Sequence, residues 1–543
     1  MKFTYDDWYD LNALTKNIEK KTNGTFSINE IMRVNTAKYA NSLFLNSFGE
    51  KTNYSEGCKK INRIANSLVR MGIQKGDKVA MLCGDSDGFV LTYMAIIAAG
   101  CAVVPINTRL ATAPVEIEFI VGDSDSKILI LEDKFASILS QISRARLPLL
   151  KEIVIISGGD IPAGTIPWMQ LLTDGSEDEV GLKVGGDDQA LQLYTSGTTG
   201  RPKGAMLTHM NCLAQMDQMS HVAAYTPNDR IQNMLPYPHC AFICFNLSAF
   251  YSGAALNIIY PFDPPKCAAF VGEQKSTVLV IVPAMILALI NLPNIKDYDF
   301  SSLRLFMYGA APVPYTAIVK MKELWPWAKL QNIFGMTECS AAISTMKDEE
   351  ALTKIAGVGR VVPGGTLRVV NVNDVDIKPG EVGEIIYKGP NVMKGYYKNP
   401  DATVKALEGG WYHTGDMGTL DEEGILKIVD RSKDMLIRGG ENVYPAEVER
   451  VLYEISAIME CAVIGVPDQK FGERTKAFIV LKPGQSVTPG EIVEHCKQKL
   501  AMFKVPEVIE FINEIPKTPM AKINKIGLRS YLRDKEWRSW ENK

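Results

Sequence analysis

The alternation of helical and strand-like segments limits the fold of this chain more than any other feature. Between residues 54 and 72, apolar side chains recur every three or four positions, which predicts a helix that ends at Gly72. Short apolar runs then recur along the first 310 residues: KVAML (78–82), KILIL (127–131), EIVIIS (152–157), TVLVIV (277–282) and LRLFMYG (303–309). Helices that alternate with buried strands predict an α/β architecture of doubly wound sheets.

The length of 543 residues is too great for one hydrophobic core and predicts at least two domains. From about residue 365, short strands separated by Gly, Asp and Pro turns predict a small β-barrel over residues 365–430. The residues beyond it carry helices and strands of their own. We therefore predict a large N-terminal domain, residues 1–432, and a small α+β C-terminal domain, residues 433–543.

Three uncharged stretches, residues 88–106, 235–261 and 276–295, approach the length of a membrane span. Each is interrupted by Gly and Pro residues, so we interpret each as a buried strand plus a buried helix. The formal net charge of −3 predicts no basic surface for nucleic acid. Ten scattered cysteines favour buried free thiols over a metal site, and the N-terminus lacks a signal-peptide core. We expect a cytoplasmic protein without a membrane span.

The segment LYTSGTTGRPKGAML, residues 193–207, combines glycines, hydroxyl groups and a lysine directly after an apolar run. Glycines let backbone N–H groups approach an anion, and hydroxyl and ammonium groups add donors, so a polyphosphate site is one interpretation. An ordinary surface loop is the other, since Pro202 stands where a Walker loop needs glycine. The candidate phosphate ligands are Thr195, Ser196, Gly197, Thr198, Thr199, Gly200 and Lys203.

Four further segments follow this loop in order: NIFGMTECS (332–340), GWYHTGDMG (410–418), DRSKDMLIRGGENVYPAEVE (430–449) and IPKTPMAKINK (515–525). Together they resemble the adenylate-forming superfamily of AMP-forming acyl-CoA synthetases, peptide-synthetase adenylation domains and firefly luciferase. The resemblance runs from about residue 54 to residue 525. It implies that Mg-ATP and a small-molecule carboxylic acid form an acyl-adenylate and pyrophosphate, and that the acyl group then passes to coenzyme A.

The resemblance also implies a role for each nucleotide-site residue. The loop at 195–203 would hold the β- and γ-phosphates, Thr337 would bond the α-phosphate, and Glu338 would ligate Mg²⁺, a hard cation that prefers carboxylate oxygen. Phe334 would stack on adenine, where relatives often have tyrosine. Asp416 and Arg431 would contact the ribose. The adenine and acyl pockets would be lined by Gly309, Ala310 and Ala311, and Gly335 would be a further cofactor-binding residue.

The C-terminal residues acquire roles in the same way. Lys522 would bridge the carboxylate and phosphate oxygens in the first half-reaction; it follows Ala521, where the family commonly has glycine. The small domain would be mobile and would rotate about Lys433 for the second half-reaction. Rotation would present the coenzyme A loop, formed by Gly439, Gly440 and Glu441.

His239 matches the family's histidine or aromatic position at the acyl pocket, although a buried core histidine is the alternative. No Asp or Glu occurs between Pro236 and Tyr260, which disfavours an amino-acid substrate. We therefore expect an uncharged medium-chain, aromatic or alicyclic acid, in an apolar box of Phe242, Phe245, Tyr308, Phe334 and Met336. A ligase that loads a separate carrier protein, a luciferase-like oxygenase and a nucleotide sensor stay open, as does assembly into a homo-oligomer.

Overall fold

The computed structural model describes residues 10–156, 159, 161–195, 202–354, 357–431, 434–439, 441–468, 470–517, 523–525 and 527–530. The chain divides into two compact units. Unit 1 comprises Met1–Arg368, Ile386–His413 and Gly424–Leu426, and unit 2 comprises Val369–Ile385, Thr414–Glu423 and Lys427–Lys543. The domain boundary between residues 432 and 433 stays a prediction, because both residues lie outside the described ones.

The helices, in chain order, are α1 (Leu11–Lys21), α2 (Ile28–Tyr39), α3 (Tyr54–Arg70), α4 (Asp87–Ala98), α5 (Pro114–Asp123), α6 (Trp168–Asp174), α7 (His209–Val222), α8 (Ser248–Tyr251), α9 (Pro264–Glu273), α10 (Pro283–Ile290), α11 (Tyr315–Leu324), α12 (Pro400–Ala406), α13 (Pro445–Leu452) and α14 (Pro489–Lys497). The strands before residue 365 are β1 (Leu43–Ser47), β2 (Glu50–Asn53), β3 (Lys78–Leu82), β4 (Ala102–Pro105), β5 (Ser126–Glu132), β6 (Glu152–Ile156), β7 (Ile166–Pro167), β8 (Gln189–Thr195), β9 (Lys203–Thr208), β10 (Arg230–Asn233), β11 (Ala255–Ile258), β12 (Val278–Ile281), β13 (Leu305–Gly309), β14 (Lys329–Met336), β15 (Ala341–Met346) and β16 (Gly357–Val361). The remaining strands are β17 (Thr366–Val370), β18 (Gly383–Lys388), β19 (Gly395–Tyr396), β20 (Tyr412–Leu420), β21 (Leu426–Arg431), β22 (Leu436–Arg438), β23 (Glu441–Val443), β24 (Ile458–Asp468), β25 (Gly472–Leu481) and β26 (Val508–Phe511).

Local sequence explains where the helices begin. Helix α3 starts with a capping box, in which the Asn53 side chain accepts from the Glu56 amide while the Glu56 carboxylate accepts from the Asn53 amide. The Thr208 hydroxyl caps α7 by accepting from the amide of Asn211. The bonds from the Glu56 and Asn211 amides satisfy N–H groups that the first turn of a helix leaves without partners.

An eight-stranded sheet of unit 1 has the strand order β19-β9-β8-β4-β3-β5-β6-β7. Its strands from β8 to β7 are parallel, whereas β9 pairs antiparallel with both β8 and β19. Alternate side chains of β3 and β5 pack against α5 in one core cluster, with Ala80, Leu82 and Leu129 beside Ile117 and Ile120. The sheet thus carries the two arms of the predicted phosphate loop, β8 and β9, near one edge.

A second sheet of unit 1 has the order β16-β15-β14-β13-β12-β10-β11-β1-β2. The strands from β14 to β1 are parallel, so their carboxyl ends meet at one edge of the sheet. Helices α10 and α11 cover one face, where Ile286 and Ile318 pack against Leu279, Phe306 and Leu330. Two mainly parallel sheets with helices packed on them confirm the predicted doubly wound α/β architecture.

Unit 2 contains a five-stranded sheet in which β22 lies between β23 and β25, β25 pairs with β24, and β26 runs parallel to β25. Helices α13 and α14 cover one face of it through Val448 and Ile492, which join a core cluster with Val463 and Ile479. On the opposite face, Ile464 and Phe478 pack against Ile515 and Leu528. Unit 2 also holds residues of β17, β18, β20 and β21, where the Thr414 hydroxyl donates to the Ile385 carbonyl at 2.7 Å.

The three apolar stretches fold as predicted, as strands and helices of the core. The first becomes α4 and β4, and the third becomes β12 and α10. The second forms a π-helix over Phe242–Leu247, followed by α8 and β11. None of the helices among the described residues is both long and apolar enough to cross a membrane. All ten cysteines lie in the described part of the chain as free thiols, and nine are buried.

Candidate active site

The carboxyl edge of the second sheet gathers residues that the sequence places far apart. Strands β10, β12, β13 and β14 end together, and Gly309 is in register with Ile333. The segments that leave these ends contain His239, Ala310 and Thr337. Ligands of α/β proteins bind at such an edge, because side chains from several strands converge there. Topology therefore brings the predicted adenine, α-phosphate and acyl residues to one place.

The backbone at this edge requires specific small residues. A Cβ on Gly335 would lie 1.6 Å from the Ala341 carbonyl oxygen, and a Cβ on Gly309 would lie 2.1 Å from the Ile333 oxygen. Ala310 has φ +68° and Ser340 has φ +56°, both left-handed and unusual outside glycine. Strain of this kind persists where the surroundings fix the backbone, and it concentrates at functional sites.

Glu338 is held by a tyrosine that the sequence motifs do not include. The hydroxyl of Tyr396 donates to the Glu338 carboxylate at 2.8 Å. Burial raises the pKa of Tyr396, and the Glu338 carboxylate raises it further, so the hydroxyl stays protonated and remains a donor. The Lys203 ammonium lies 5.1 Å from the centre of the Tyr396 ring. Lys203, Tyr396 and Glu338 thus form one cluster between the two sheets of unit 1.

A buried amide fixes the turn that carries Glu338. The Asn391 side chain donates to the carbonyls of Cys339 and Ala342, at 2.8 and 3.0 Å, and accepts from the Tyr387 hydroxyl at 2.7 Å. The Ser340 hydroxyl donates to the Asn391 carbonyl at 2.8 Å. This network offsets the cost of the left-handed backbone at Ser340 and orients the Glu338 side chain.

The predicted phosphate loop is described at its two ends. Thr195 and Lys203 face each other as the last pair of the β8–β9 ladder. Both side chains are half-buried. The candidate ligands Ser196, Gly197, Thr198, Thr199 and Gly200 lie outside the described residues. What the structure places is therefore the base of the loop, with the Lys203 ammonium over the ring of Tyr396.

His239 is half-buried on the segment between β10 and the π-helix. Its Nδ1 accepts from the Ala241 amide at 3.2 Å, which orients the ring. Beside this segment lies an aromatic cluster, the buried residues Phe89, Tyr93, Tyr237 and Phe242, in which the Tyr93 and Phe242 ring centres are 4.7 Å apart.

The structure divides the predicted apolar box. Phe242, Phe245 and Tyr308 are buried in the core, at 1%, 5% and 3% exposure, whereas Phe334 and Met336 are half-buried at the sheet edge. The first three therefore shape the site from within the core. Asp85, on the loop after β3, also reaches this region and accepts from the Tyr237 amide at 2.8 Å. The sequence gives no local signal for this contact, since 152 residues separate its partners.

Four of the predicted residues that the structure describes lie in unit 2. Asp416, in β20, is buried at 7% exposure, and its amide donates to the Thr414 hydroxyl at 3.0 Å. Gly439 has φ +60° in the β22–β23 turn, and its amide donates to the Phe471 carbonyl at 2.8 Å. Glu441 is exposed at the start of β23. The turn itself therefore accounts for a glycine at 439. Arg431 ends β21.

The predicted residues Lys433, Gly440, Ala521 and Lys522 lie outside the described residues. The chain on either side of residues 518–522 is well anchored. Lys517 pairs with Ile523 in an antiparallel bridge, and the Lys525 ammonium lies 2.9 Å from the Glu449 carboxylate in an ion pair whose side chains are 12% and 15% exposed. Burial raises the pKa of Glu449, and Lys525 acts against that shift.

Comparison with known proteins agrees with this geometry. The family model for AMP-binding enzymes matches residues 32–397, and the model for the AMP-binding enzyme C-terminal domain matches residues 447–522. The chain belongs to the AMP-binding enzyme family. A feruloyl-CoA synthase of an Amycolatopsis species is 35% identical to this AMP-binding enzyme over 485 residues, 89% of the chain and 94% of the relative. A long-chain-fatty-acid–CoA ligase of Mycobacterium tuberculosis is 35% identical over 474 residues, 86% and 90% of the two chains.

Solved structures extend the similarity to the whole fold of the AMP-binding enzyme. The anthranilate CoA ligase AuaEII in complex with anthranoyl-AMP has a TM-score of 0.85 at 27% identity, covering 93% of this chain and 97% of that one. The o-succinylbenzoate coenzyme A synthetase of Bacillus subtilis, in complex with ATP and magnesium, has a TM-score of 0.80 at 26% identity, covering 91% and 98%. The predicted superfamily, the mixed α/β fold with a smaller C-terminal domain, and the activity of an AMP-forming acid–thiol ligase are confirmed.

Proposed function

We propose that this enzyme activates an uncharged apolar carboxylic acid with Mg-ATP and transfers the acyl group to coenzyme A. The observation that carries the proposal is the cluster at the carboxyl edge, where Tyr396 holds the Glu338 carboxylate beside Lys203. A carboxylate and an ammonium at one edge suit a magnesium-bound polyphosphate. The relatives named above act on aromatic and long-chain acids, which supports an apolar substrate.

The carboxylate of Glu338 fits Mg²⁺, because it is a hard oxygen donor that remains half-exposed at the edge of the sheet. Mg²⁺ held there would neutralise charge on the leaving pyrophosphate. Lys203, with the loop residues 195–200, would bind the β- and γ-phosphates. Thr337 would donate its hydroxyl to the α-phosphate.

The first half-reaction brings two anions together, so its main requirement is positive charge at the developing transition state. The substrate carboxylate oxygen attacks the α-phosphorus, the bond to the β-phosphate oxygen breaks, and pyrophosphate leaves with the electron pair. We propose that Lys522 supplies the positive charge. The product is a mixed anhydride, which apolar walls near His239 would shield from water.

Other predicted residues serve nucleotide binding in this proposal. Phe334 would stack on adenine, with Gly309, Ala310, Ala311 and Gly335 beside it. Asp416, a carboxylate with two acceptor oxygens, would bind the ribose hydroxyls together with Arg431.

The second half-reaction needs the coenzyme A thiolate to attack the acyl carbonyl, with AMP as the leaving group. We propose that the small domain rotates about Lys433 and presents Gly439, Gly440 and Glu441 to the pantetheine arm. Lys433→Pro tests the rotation, because proline fixes φ near −65°. Retained adenylate formation with lost thioester formation would support a hinge at Lys433, and equal change in both would contradict it.

The experiment that tests the proposed function measures acid-dependent AMP release with a panel of carboxylic acids, with and without coenzyme A. We expect turnover with medium-chain, aromatic or alicyclic acids, and a thioester product that requires coenzyme A. Adenylate without thioester would favour a separate carrier protein as the acceptor. Turnover confined to amino acids would overturn the proposal of an uncharged acid.

A further inference from the structure

Asp85 connects the two sheets of unit 1 beside the proposed acid site. It follows β3 of the eight-stranded sheet and is 5% exposed. Its Oδ1 accepts from the amide of Tyr237, which belongs to the segment leaving β10 of the second sheet. The loop that carries Asp85 is held from the other side, because the Gly84 amide donates to the Glu132 carboxylate at 3.0 Å.

The segment 235–239 depends on this contact because it has few backbone donors. Pro236 and Pro238 have no N–H group. The Leu235 amide donates to the Asn233 side chain at 3.0 Å, and the His239 amide donates to the Pro236 carbonyl at 3.1 Å, so both bonds stay local. Among the backbone donors of residues 235–239, all of them described, Tyr237 is thus the one bonded to the other sheet. The position of Tyr237 also determines the position of His239, which follows it by two residues.

The surroundings of Asp85 make this contact sensitive to protons. Burial raises the pKa of Asp85 to about 7, and the Tyr237 amide opposes the shift. Two charged groups face it from β5 and the residues after it: Glu132 raises this pKa further, and Lys134 lowers it. His239, two residues from Tyr237 on the same segment, is the third titratable group of this region. A solvated aspartate has a pKa of about 3.9. Asp85 therefore binds a proton near neutral pH while it is buried against Tyr237, and loses that proton if the segment is released and Asp85 becomes solvated.

We propose that Asp85 is a positioning residue that holds the Tyr237–His239 segment in the acid-binding arrangement when protonated and releases it when ionised. The inference rests on the proposed function, in which His239 borders the acid. By linkage, the ratio of held to released segment falls about ten-fold between about pH 6 and about pH 8. A carboxylic acid substrate is ionised throughout this range, so its own titration does not contribute.

The test compares KM for the acid and kcat across this pH range in three proteins: the wild type, Asp85→Asn and Asp87→Asn. Asparagine keeps the acceptor for Tyr237 but cannot ionise. We expect the wild-type KM to rise several-fold with pH, ten-fold at most, and the Asp85→Asn KM to stay near the wild-type value at low pH. Asp87, half-buried at the start of α4, is the matched control, and its variant should keep the wild-type profile.

A second measurement reports on residues 235–241 directly and does not depend on the choice of acid. Hydrogen exchange of residues 235–241, corrected for the intrinsic rate, should accelerate with pH in the wild type and not in Asp85→Asn. The same exchange profile in both proteins, or the same KM profile, would overturn the role of Asp85. Failure of the proposed function would look different: the wild type would release no AMP with any acid, while the exchange difference would persist.

Discussion

Replacing Tyr396 with phenylalanine tests the cluster around Glu338 most directly. The change removes one hydroxyl from a side chain that is 8% exposed and leaves the ring, so packing is preserved. What is lost is one 2.8 Å hydrogen bond to a carboxylate. Hydrogen bonds to charged groups contribute roughly 1.5–3 kcal/mol, and their loss leaves the charged partner without its donor.

If Glu338 binds Mg²⁺ as proposed, this cost falls on metal binding and on the first half-reaction. A loss of 1.5–3 kcal/mol corresponds to a decrease of roughly 10- to 150-fold in kcat/KM for Mg-ATP. Pyrophosphate–ATP exchange, measured over a range of Mg²⁺ concentrations, reports that step alone. We expect Tyr396→Phe to require more Mg²⁺ and to exchange at least about ten-fold more slowly.

The neighbouring tyrosine provides a matched control. The hydroxyl of Tyr397 donates to the Asp125 carboxylate at 2.7 Å, so Tyr397→Phe removes an equivalent bond away from the sheet edge. We expect its exchange rate to stay within about two-fold of the wild type, since the hydroxyl that is removed bonds Asp125, which is not a proposed ligand. Equal losses in the two variants, or an unchanged Mg²⁺ dependence in Tyr396→Phe, would refute the reasoning.

Three further predictions concern charge. Lys522→Ala is expected to abolish adenylate formation and to spare thioester formation from supplied acyl-adenylate, because the charge of Lys522 acts in the first half-reaction. Separate assays of the two half-reactions test this, and equal losses in both would contradict a role confined to the first. Lys525→Met leaves Glu449 buried without its cation and should cost roughly 3–5 kcal/mol in denaturant unfolding, whereas Lys517→Met, in a more exposed pair, should cost at most about 1 kcal/mol. Similar free-energy costs in the two lysine variants would contradict this prediction. Asp85→Asn should stabilise the protein increasingly as the pH rises from about 4 to about 7. The wild-type carboxyl, with a folded pKa of about 7, must ionise in a buried place over this range, at a cost of up to roughly 4 kcal/mol. Melting temperatures of both proteins across this pH range measure the effect, and a difference in melting temperature that does not change with pH would disprove it.

Local patterns in the sequence predict much of the fold. The run KVAML is strand β3 with the same bounds, and the helix predicted between residues 54 and 72 is α3, Tyr54–Arg70. Such features depend on neighbours within a few residues. The four positions Gly309, Ala310, Thr337 and Glu338 meet because parallel strands end together, which alternation of helices and strands also predicts.

Other features depend on contacts between distant segments and give no local signal. The bond between Tyr396 and Glu338 spans 58 residues, and Asp85 reaches Tyr237 across 152. No Asp or Glu occurs between Pro236 and Tyr260, but Asp85 contacts this segment from a distant part of the chain. The aromatic type of Tyr308 predicts a place in the acid pocket; the residue is 3% exposed and packs in the core against α10 and α11, so it can shape that pocket only from within the core.

The place of β19 in the eight-stranded sheet has a consequence for biosynthesis. Its partner β9 ends at Thr208, but β19 begins at Gly395, so the ribosome adds nearly 190 residues between them. At about 5–20 residues per second, the edge of β9 waits roughly 10–40 s for its neighbour. Over that interval the nascent sheet presents unpaired N–H and C=O groups, the kind of edge that recruits other strands. Codon changes that slow translation between residues 208 and 395 should therefore lower the soluble yield of this enzyme while leaving its amino-acid sequence untouched.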